Sequence, residues 1–335
     1  MLAPVQIDHG FEATPERLGV EAARARAWRG ADVLAQRCVL RLDDAVLGEL
    51  REMVRRMRAE PLPLLLRRAD HFELPVLRAV MARARHLLDH AQGVAVIDAL
   101  PLDELDPDSA HALFWVLGEL VGRQVAQKWD GTMLYDVRDT GQKYGYGVRG
   151  SYTSVELVFH TDNAFAVCPP DYVGLMCLHP AREGGISRFC SLYAIHEQLR
   201  ALSPDALERL YHPMLWDRQA EHEPDAPRVL RAPMFRCVDG RLHTRANVSL
   251  VRKGYQVAGQ DMDTALADAL DAVETVSREP SLWFELPIAR GHLQYLNNVD
   301  TAHYRSDFVD HDDPARKRHL VRSWHRERGR PLYDG

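Results

Sequence analysis

Two histidines and one aspartate in this chain have the types and the order of ligands for a divalent metal. His160 and Asp162 lie two residues apart in the segment 158–163, and His303 follows much later. Side chains two residues apart on a strand point to the same face, so both could reach one ion without distorting the backbone. Two imidazoles and one carboxylate suit non-haem Fe(II) and leave other coordination positions open. The sequence therefore predicts an iron site of His160, Asp162 and His303, which would be the catalytic centre.

Two arginines near the end of the chain could bind an anion at the same site. Arg318 and Arg322 lie in a predicted strand, where residues 318, 320, 322 and 324 would share one face. Arginines inside a protein need a partner, because burying an unpaired charge is costly. A bound dicarboxylate would provide one through a planar, two-pronged contact, and the Ser187 hydroxyl could donate to it. The same pattern is also typical of a basic stripe on a solvated edge strand.

The stretch before His160 is a candidate for substrate contacts. It contains Tyr146, Arg149 and Tyr152 among several glycines, which would allow a mobile lid. Asn163 and Phe165 follow the ligand pair closely enough to face the same cavity. Arg149 suggests an anionic group on the substrate. A plain surface loop is the alternative for this stretch.

Composition limits the classes of function. The 335 residues are 46% hydrophobic and 27% charged, as in an ordinary globular protein, and the net charge of -6 argues against a nucleic-acid partner. We expect no signal peptide and no membrane partner, because the first residues lack a basic and apolar run and no stretch of 18 apolar residues occurs. The five cysteines are scattered, which predicts reduced thiols, a cytoplasmic location and no zinc site built on them.

The apolar periodicity predicts helices first and strands later. Helices are expected within residues 14–95, from 106 to about 122, and in the ranges 194–202, 204–211 and 263–276. Predicted strands cover residues 93–98, 155–160, 172–178, 186–190, 283–286, 292–296 and 319–324, with a hairpin over 229–244 that turns at Asp239-Gly240.

These elements predict an α+β fold with a double-stranded β-helix, or jelly-roll, core. We expect a single catalytic domain over 1–335. Within it, residues 1–122 would form a mainly helical N-terminal region, and residues 123–335 the jelly-roll core with a helical insert at about 194–280.

Four motifs in order resemble the taurine dioxygenase and clavaminate synthase-like (TauD/TfdA) family of Fe(II)/2-oxoglutarate-dependent oxygenases. They are His160-Thr161-Asp162-Asn163, Gly184-Gly185-Ile186-Ser187, Leu296-Asn297-Asn298 with His303, and the segment from Arg318 to Trp324. The resemblance covers about 150–326.

The resemblance implies Fe(II) on His160, Asp162 and His303, with 2-oxoglutarate and O2 as cosubstrates. It also implies that Arg318 and Ser187 hold 2-oxoglutarate, while Arg322 helps there or meets an acidic substrate. Hydroxylation of an unactivated carbon, with release of succinate and CO2, is the expected reaction. Ser187 replaces the family's usual threonine, and the longer interval from His303 leaves the roles of Arg318 and Arg322 open.

Other functions remain to be separated by experiment. The same centre could catalyse desaturation, cyclisation or epimerisation of an amino-acid-like or other polar small molecule. A zinc-dependent hydrolase would need no 2-oxoglutarate and would leave the arginines unexplained. A non-enzymatic jelly-roll binding module would release no succinate. A homo-oligomer is compatible with the sequence.

Overall fold

The structure is a computed structural model that describes residues 7–8, 15–143, 145 and 148–333. Its helices, in chain order, are α1 (Val20–Arg26), α2 (Asp44–Ala59), α3 (Pro75–His90), α4 (Pro107–Glu119), α5 (Leu192–Leu202), α6 (Pro204–Leu210), α7 (Val248–Ala258) and α8 (Thr264–Ser277).

The strands are β1 (Ile7–Asp8), β2 (Val39–Arg41), β3 (Val94–Asp98), β4 (Arg123–Val125), β5 (Tyr135–Val137), β6 (Leu157–His160), β7 (Tyr172–His179), β8 (Glu183–Gly184), β9 (Ser187–Ser191), β10 (Met214–Asp217), β11 (Val229–Ala232), β12 (Phe235–Val238), β13 (Arg241–Thr244), β14 (Trp283–Glu285), β15 (Leu293–Asn297), β16 (Thr301–Arg305), β17 (Phe308–Val309) and β18 (His319–Arg326).

Two sheets pack face to face around the centre of the molecule. The larger has the order β2-β3-β15-β7-β18-β4, with β5 also paired to β18, and the smaller has the order β14-β9-β16-β6. Phe189 on β9 and Phe284 on β14 pack in one apolar cluster with Val173 on β7, Leu296 on β15 and Trp324 on β18. Strand β6 of the smaller sheet leads to Asp162, and the larger sheet packs against the inner face of the smaller one.

The other face of the large sheet is covered by α2, α3 and α4. Alternation along β3 explains this arrangement, because Val94 and Val96 face the smaller sheet while Ala95 and Ile97 pack in the helical cluster. Both faces of the strand are therefore buried, which gives the continuous apolar run seen in the sequence. Asp43 caps the start of α2, where its carboxylate accepts a hydrogen bond from the Val46 amide.

A third apolar cluster joins α5, α6, α7 and α8 to the strands β10 to β13. The stretch predicted as a helical insert, about 194–280, thus contains strands as well as helices. The division of the chain stays a prediction: one catalytic domain over 1–335, with an N-terminal region 1–122 and a core 123–335 that contains this insert.

Most of the predicted elements are confirmed, and the exceptions matter for the site. The turn at Asp239-Gly240 joins β12 to β13, but β11 pairs with β10 and so lies outside the predicted hairpin. Helix α7 and strand β16 were not predicted. Strand β16 carries His303, which follows the predicted strand 292–296.

The mixed helix-and-sheet architecture agrees with the prediction. In the part of the chain that the structure describes, no helix combines the length and the apolar character needed to cross a membrane. All five cysteines are free thiols, and only Cys168 is exposed.

Candidate metal centre

The three predicted ligands meet at one end of the smaller sheet. His160 ends β6 and lies directly opposite His303 on the neighbouring strand β16. Their ring centroids are 4.2 Å apart. Asp162 Oδ1 lies 3.7 Å from His160 Nε2 and 3.5 Å from His303 Nε2. One ligand atom from each residue lies within 4.8 Å of the others, which is the spacing that a single ion could bridge.

The Asp162 carboxylate is fixed with one oxygen free for an ion. Its Oδ2 accepts hydrogen bonds from Arg322 Nη1 at 2.9 Å and from Trp324 Nε1 at 2.8 Å. Its backbone is held by Asn298, which accepts from the Asp162 amide at 2.7 Å and donates to the Asp162 carbonyl at 3.0 Å. Only Oδ1 therefore faces the two imidazoles, as expected of a ligand oriented by its surroundings.

The protonation states also suit a metal. Burial alone would raise the pKa of Asp162, but the charge of Arg322 and the nearby imidazoles hold that pKa well below its usual range. Burial and the neighbouring His160 lower the pKa of His303, so its ring is neutral at pH 7. His160 Nδ1 lies 2.7 Å from the Val158 carbonyl, which leaves Nε2 for coordination. The donor set thus fits Fe(II).

Arg322 is built into this centre. Its Nε donates to Gln127 Oε1 at 2.8 Å, while Gln127 Nε2 donates to the Arg322 carbonyl at 2.7 Å. The guanidinium carbon lies 4.6 Å from the Trp324 ring and 4.8 Å from the Tyr135 ring. Strand β18 has neighbours on both sides, so the alternative of a solvated edge stripe is wrong.

Replacing Arg322 by glutamine should destabilise the metal-free protein by about 3–5 kcal/mol, because the buried Asp162 carboxylate loses its charged partner. Mn(II) should recover part of this loss, since the dication takes over the neutralisation. The check is thermal unfolding in chelator and in Mn(II), with Arg316→Gln on the exposed surface as the control. Equal unfolding temperatures of Arg322→Gln and the wild-type protein in chelator would contradict the prediction.

Arg318 lies one residue before β18, and the pairing of β18 with β7 shifts register between His319 and Leu320. The common face of residues 318 to 324 stays a prediction. Arg318 lines a cavity of about 550 Å³, and burial lowers its pKa to about 10. Its Nη1 has no hydrogen-bond partner among the described residues. Ser187 is half-buried at the start of β9.

A cavity of about 280 Å³ opens at the ligands and includes three of the predicted substrate residues: Arg149, Asn163 and Phe165. The guanidinium of Arg149 forms a two-pronged ion pair with Glu221, so its charge is already neutralised. Tyr152 does not line this cavity; its hydroxyl accepts from Lys128 at 3.0 Å. Tyr146 lies outside the described residues.

The sequence analysis missed several residues of the site. Trp324 was detectable, since it lies two residues beyond Arg322 on the same strand and so on the same face. Gln127 and Glu221 carry no local signal, because each acts across a long separation in the chain. Asn298 lies in a motif of the family resemblance, but no role was predicted for it. Asn247 and Ser249 line the cavity at the start of α7, a helix that was not predicted.

Comparison with known proteins identifies relatives over most of the chain. The model of the family "Taurine catabolism dioxygenase TauD, TfdA family" matches residues 58–324. FR-33289 synthase of Streptomyces rubellomurinus is 27% identical over 294 residues, which are 84% of this chain and 83% of that protein.

Two solved structures share the fold. Asparagine oxygenase in complex with Fe(II), 2S,3S-3-hydroxyasparagine and succinate has a TM-score of 0.70 at 19% identity, covering 87% of this chain and 94% of that one. The non-heme iron oxygenase OrfP, in complex with Fe and alpha-ketoglutaric acid, has a TM-score of 0.62 at 17% identity with the same coverage.

Proposed function

Because the chain belongs to the TauD/TfdA family of taurine catabolism dioxygenases, we propose that it hydroxylates an unactivated carbon of a small polar metabolite. It is an Fe(II)- and 2-oxoglutarate-dependent dioxygenase, and His160, Asp162 and His303 would be its iron ligands. The observation that carries this assignment is the meeting of these three donors, with the second oxygen of Asp162 already occupied by Arg322 and Trp324. The facing sheets would form the jelly-roll core.

Bound Fe(II) and 2-oxoglutarate would supply the oxidation by O2, with succinate and CO2 as products of the cosubstrate. The protein itself would position the cosubstrate and the substrate, in a site with limited access for water. Arg318 and Ser187 would hold the distal carboxylate of 2-oxoglutarate, and this is supported by the unpartnered, buried Nη1 of Arg318. Arg322 would keep Asp162 oriented.

The cavity at the ligands favours a small substrate with several polar groups. Asn163 is only 6% exposed, yet both its side-chain oxygen and nitrogen lack partners among the described residues. Asn247 and Ser249 at the start of α7 line the same cavity, together with the apolar side chains of Leu157 and Phe165. An amino-acid-like substrate fits this mixture, and the hydroxylated amino acids bound to the two structural relatives support it.

Removal of the Asn163 side chain should raise KM for the substrate by about 10-fold with little change in kcat, because hydrogen bonds made equally in ground and transition states affect binding alone. Asn163→Gly is the suitable variant, since the φ of 54° at this residue is tolerated by glycine. KM would be measured by succinate release with an active metabolite. An unchanged KM would remove Asn163 from the substrate contacts.

The function itself is tested by anaerobic titration of the apoprotein with Fe(II) and 2-oxoglutarate. The expected result is a weak visible charge-transfer band that needs both components, followed by a screen of amino acids for succinate release. Absence of the band from folded, metal-loaded protein would favour the zinc hydrolase or the binding module. Mass analysis of the product would separate hydroxylation from desaturation, cyclisation or epimerisation.

We also propose a reducing, cytoplasmic location, which the free thiols support. A homo-oligomer stays a prediction, to be checked by the molar mass in solution.

A further inference from the structure

A second buried arginine beside Arg318 has no role in the site described so far. Arg305 ends β16, is 6% exposed, and lacks hydrogen-bond partners for Nε and Nη1 within the described part of the chain. Its Nη2 donates to the carbonyl oxygens of Thr153 and Val155. Arg305 therefore has one side of its guanidinium fixed by the backbone and the other side without a partner.

The register of the strands puts this side chain on the same face as the metal ligands. Arg305 lies two residues after His303, and directly opposite Ser187 on β9. The pair between them, Arg188 and Tyr304, belongs to the other face, where the Arg188 guanidinium lies 4.7 Å from the Tyr304 ring. Ser187, Arg305 and His303 thus share the inner face of the small sheet.

Arg305 and Arg318 also converge on one side chain. Each guanidinium carbon lies 5.0 Å from the ring centroid of Phe308, which is compatible with a cation–π contact. Neither arginine forms an ion pair with a carboxylate of the described residues at 4.0 Å or less. Two unpaired cations buried together are costly, and an anion between them would relieve this cost.

We propose that Arg305 is a second cosubstrate-binding arginine, which contacts the distal carboxylate of 2-oxoglutarate together with Arg318. This rests on the function proposed above. Two residues of strand separate Arg305 from His303 by roughly 7 Å, a span comparable with that of a five-carbon dicarboxylate held at the metal by its other end. Hydrogen bonds from both guanidinium groups, with the Ser187 hydroxyl as a third donor, would satisfy the carboxylate oxygens.

The test compares two ligands that differ only at the distal end. Mn(II)-loaded protein is titrated calorimetrically with 2-oxoglutarate and with 2-oxovalerate, which has a methyl group where 2-oxoglutarate has its distal carboxylate. Arg305→Gln should weaken 2-oxoglutarate binding roughly 10- to 100-fold and leave 2-oxovalerate binding unchanged. The matched control is Arg188→Gln, on the opposite face of the same two strands, which should affect neither ligand.

Two results would overturn the inference while the proposed function stands: equal weakening of both ligands, which indicates that Arg305 only supports the segment 153–155, or undiminished binding of 2-oxoglutarate. A wild-type protein that binds neither 2-oxo acid would refute the cosubstrate site and this inference together. Should Arg305→Gln fail to fold, Arg305→Lys gives the same comparison. A point charge in place of the planar fork should weaken 2-oxoglutarate alone, by several-fold.

Discussion

Replacing Asp162 or His303 by alanine should abolish turnover and strongly reduce the affinity for Fe(II). Loss of a residue that only orients a metal ligand typically lowers metal affinity by roughly 10- to 100-fold, and we expect a larger loss here. Each variant removes one of three donors whose ligand atoms lie within 4.8 Å of one another. Two remaining protein ligands cannot reproduce the site, because the affinity depends on the number of ligands as well as on their type. The measurements are anaerobic Fe(II) titration and succinate release.

The two variants differ in a useful way. Asp162→Ala leaves Arg322 buried without its carboxylate, which costs about 3–5 kcal/mol of stability, so its folding must be verified by circular dichroism. His303→Ala removes a neutral ring and leaves no charge unpaired. Asp205→Ala on the surface of α6 and His292→Ala, whose ring contacts Asp98 at 3.1 Å, serve as controls. A variant with normal Fe(II) binding and turnover would remove that residue from the ligand set.

Replacing Arg318 by alanine should raise the 2-oxoglutarate concentration needed for half-maximal turnover by about two orders of magnitude or more, since loss of one partner of a buried charge pair costs about 2–5 kcal/mol. Arg318 is 4% exposed and its Nη1 is unpartnered among the described residues, so the carboxylate would lose one of its charged contacts without replacement by water. The requirement is measured by succinate release at varied 2-oxoglutarate, with exposed Arg316→Ala as the control.

Arg322 provides the comparison that decides between the two arginines. Its Nη1 is bound to Asp162 Oδ2 and its Nε to Gln127, so it has less free capacity for a second carboxylate than Arg318 has. We therefore expect Arg322→Ala to affect the iron site first. If Arg318→Ala leaves the 2-oxoglutarate requirement unchanged, the distal carboxylate is held by Arg322, or by Arg305 without Arg318.

Local patterns in the sequence were sufficient to bring His160 and Asp162 forward as a candidate pair and to predict most elements. The alternation of a strand predicted one common face for the two residues, and apolar periodicity located β3, α4 and β7 correctly. Periodicity acts between near neighbours, and it contains no information on which strands become adjacent. The pairing of β16 with β6, which brings His303 opposite His160, could therefore be reached only through the family resemblance.

Helix α7 shows a different reason for failure. Gly254 lies within it and lowers helix propensity by roughly 1 kcal/mol relative to alanine. A Cβ at this position would come within 2.5 Å of the Leu215 carbonyl on β10, so close packing accounts for the glycine. The side chain of Asn247, which caps the helix by accepting from the Leu250 amide, was the one available sign of its start.

The pairing of Arg149 with Glu221 could not have been predicted either. These residues are separated by 72 positions, so no local sequence pattern indicates that they form an ion pair. An arginine in a glycine-rich loop before a metal motif suggested an anionic substrate, whereas the fold uses its charge to join two segments of the cavity wall.

The position of β18 between β7 and the strands β4 and β5 has a consequence for folding during synthesis on the ribosome. Strand β7 has β15 and β18 as its neighbours, so it has no sheet partner until residues more than 100 positions later have been synthesised. Such long-range pairing slows folding and exposes unpaired strand edges to aggregation. The guanidinium and indole partners of Asp162 lie on β18, so the centre can be completed only after that strand has been synthesised.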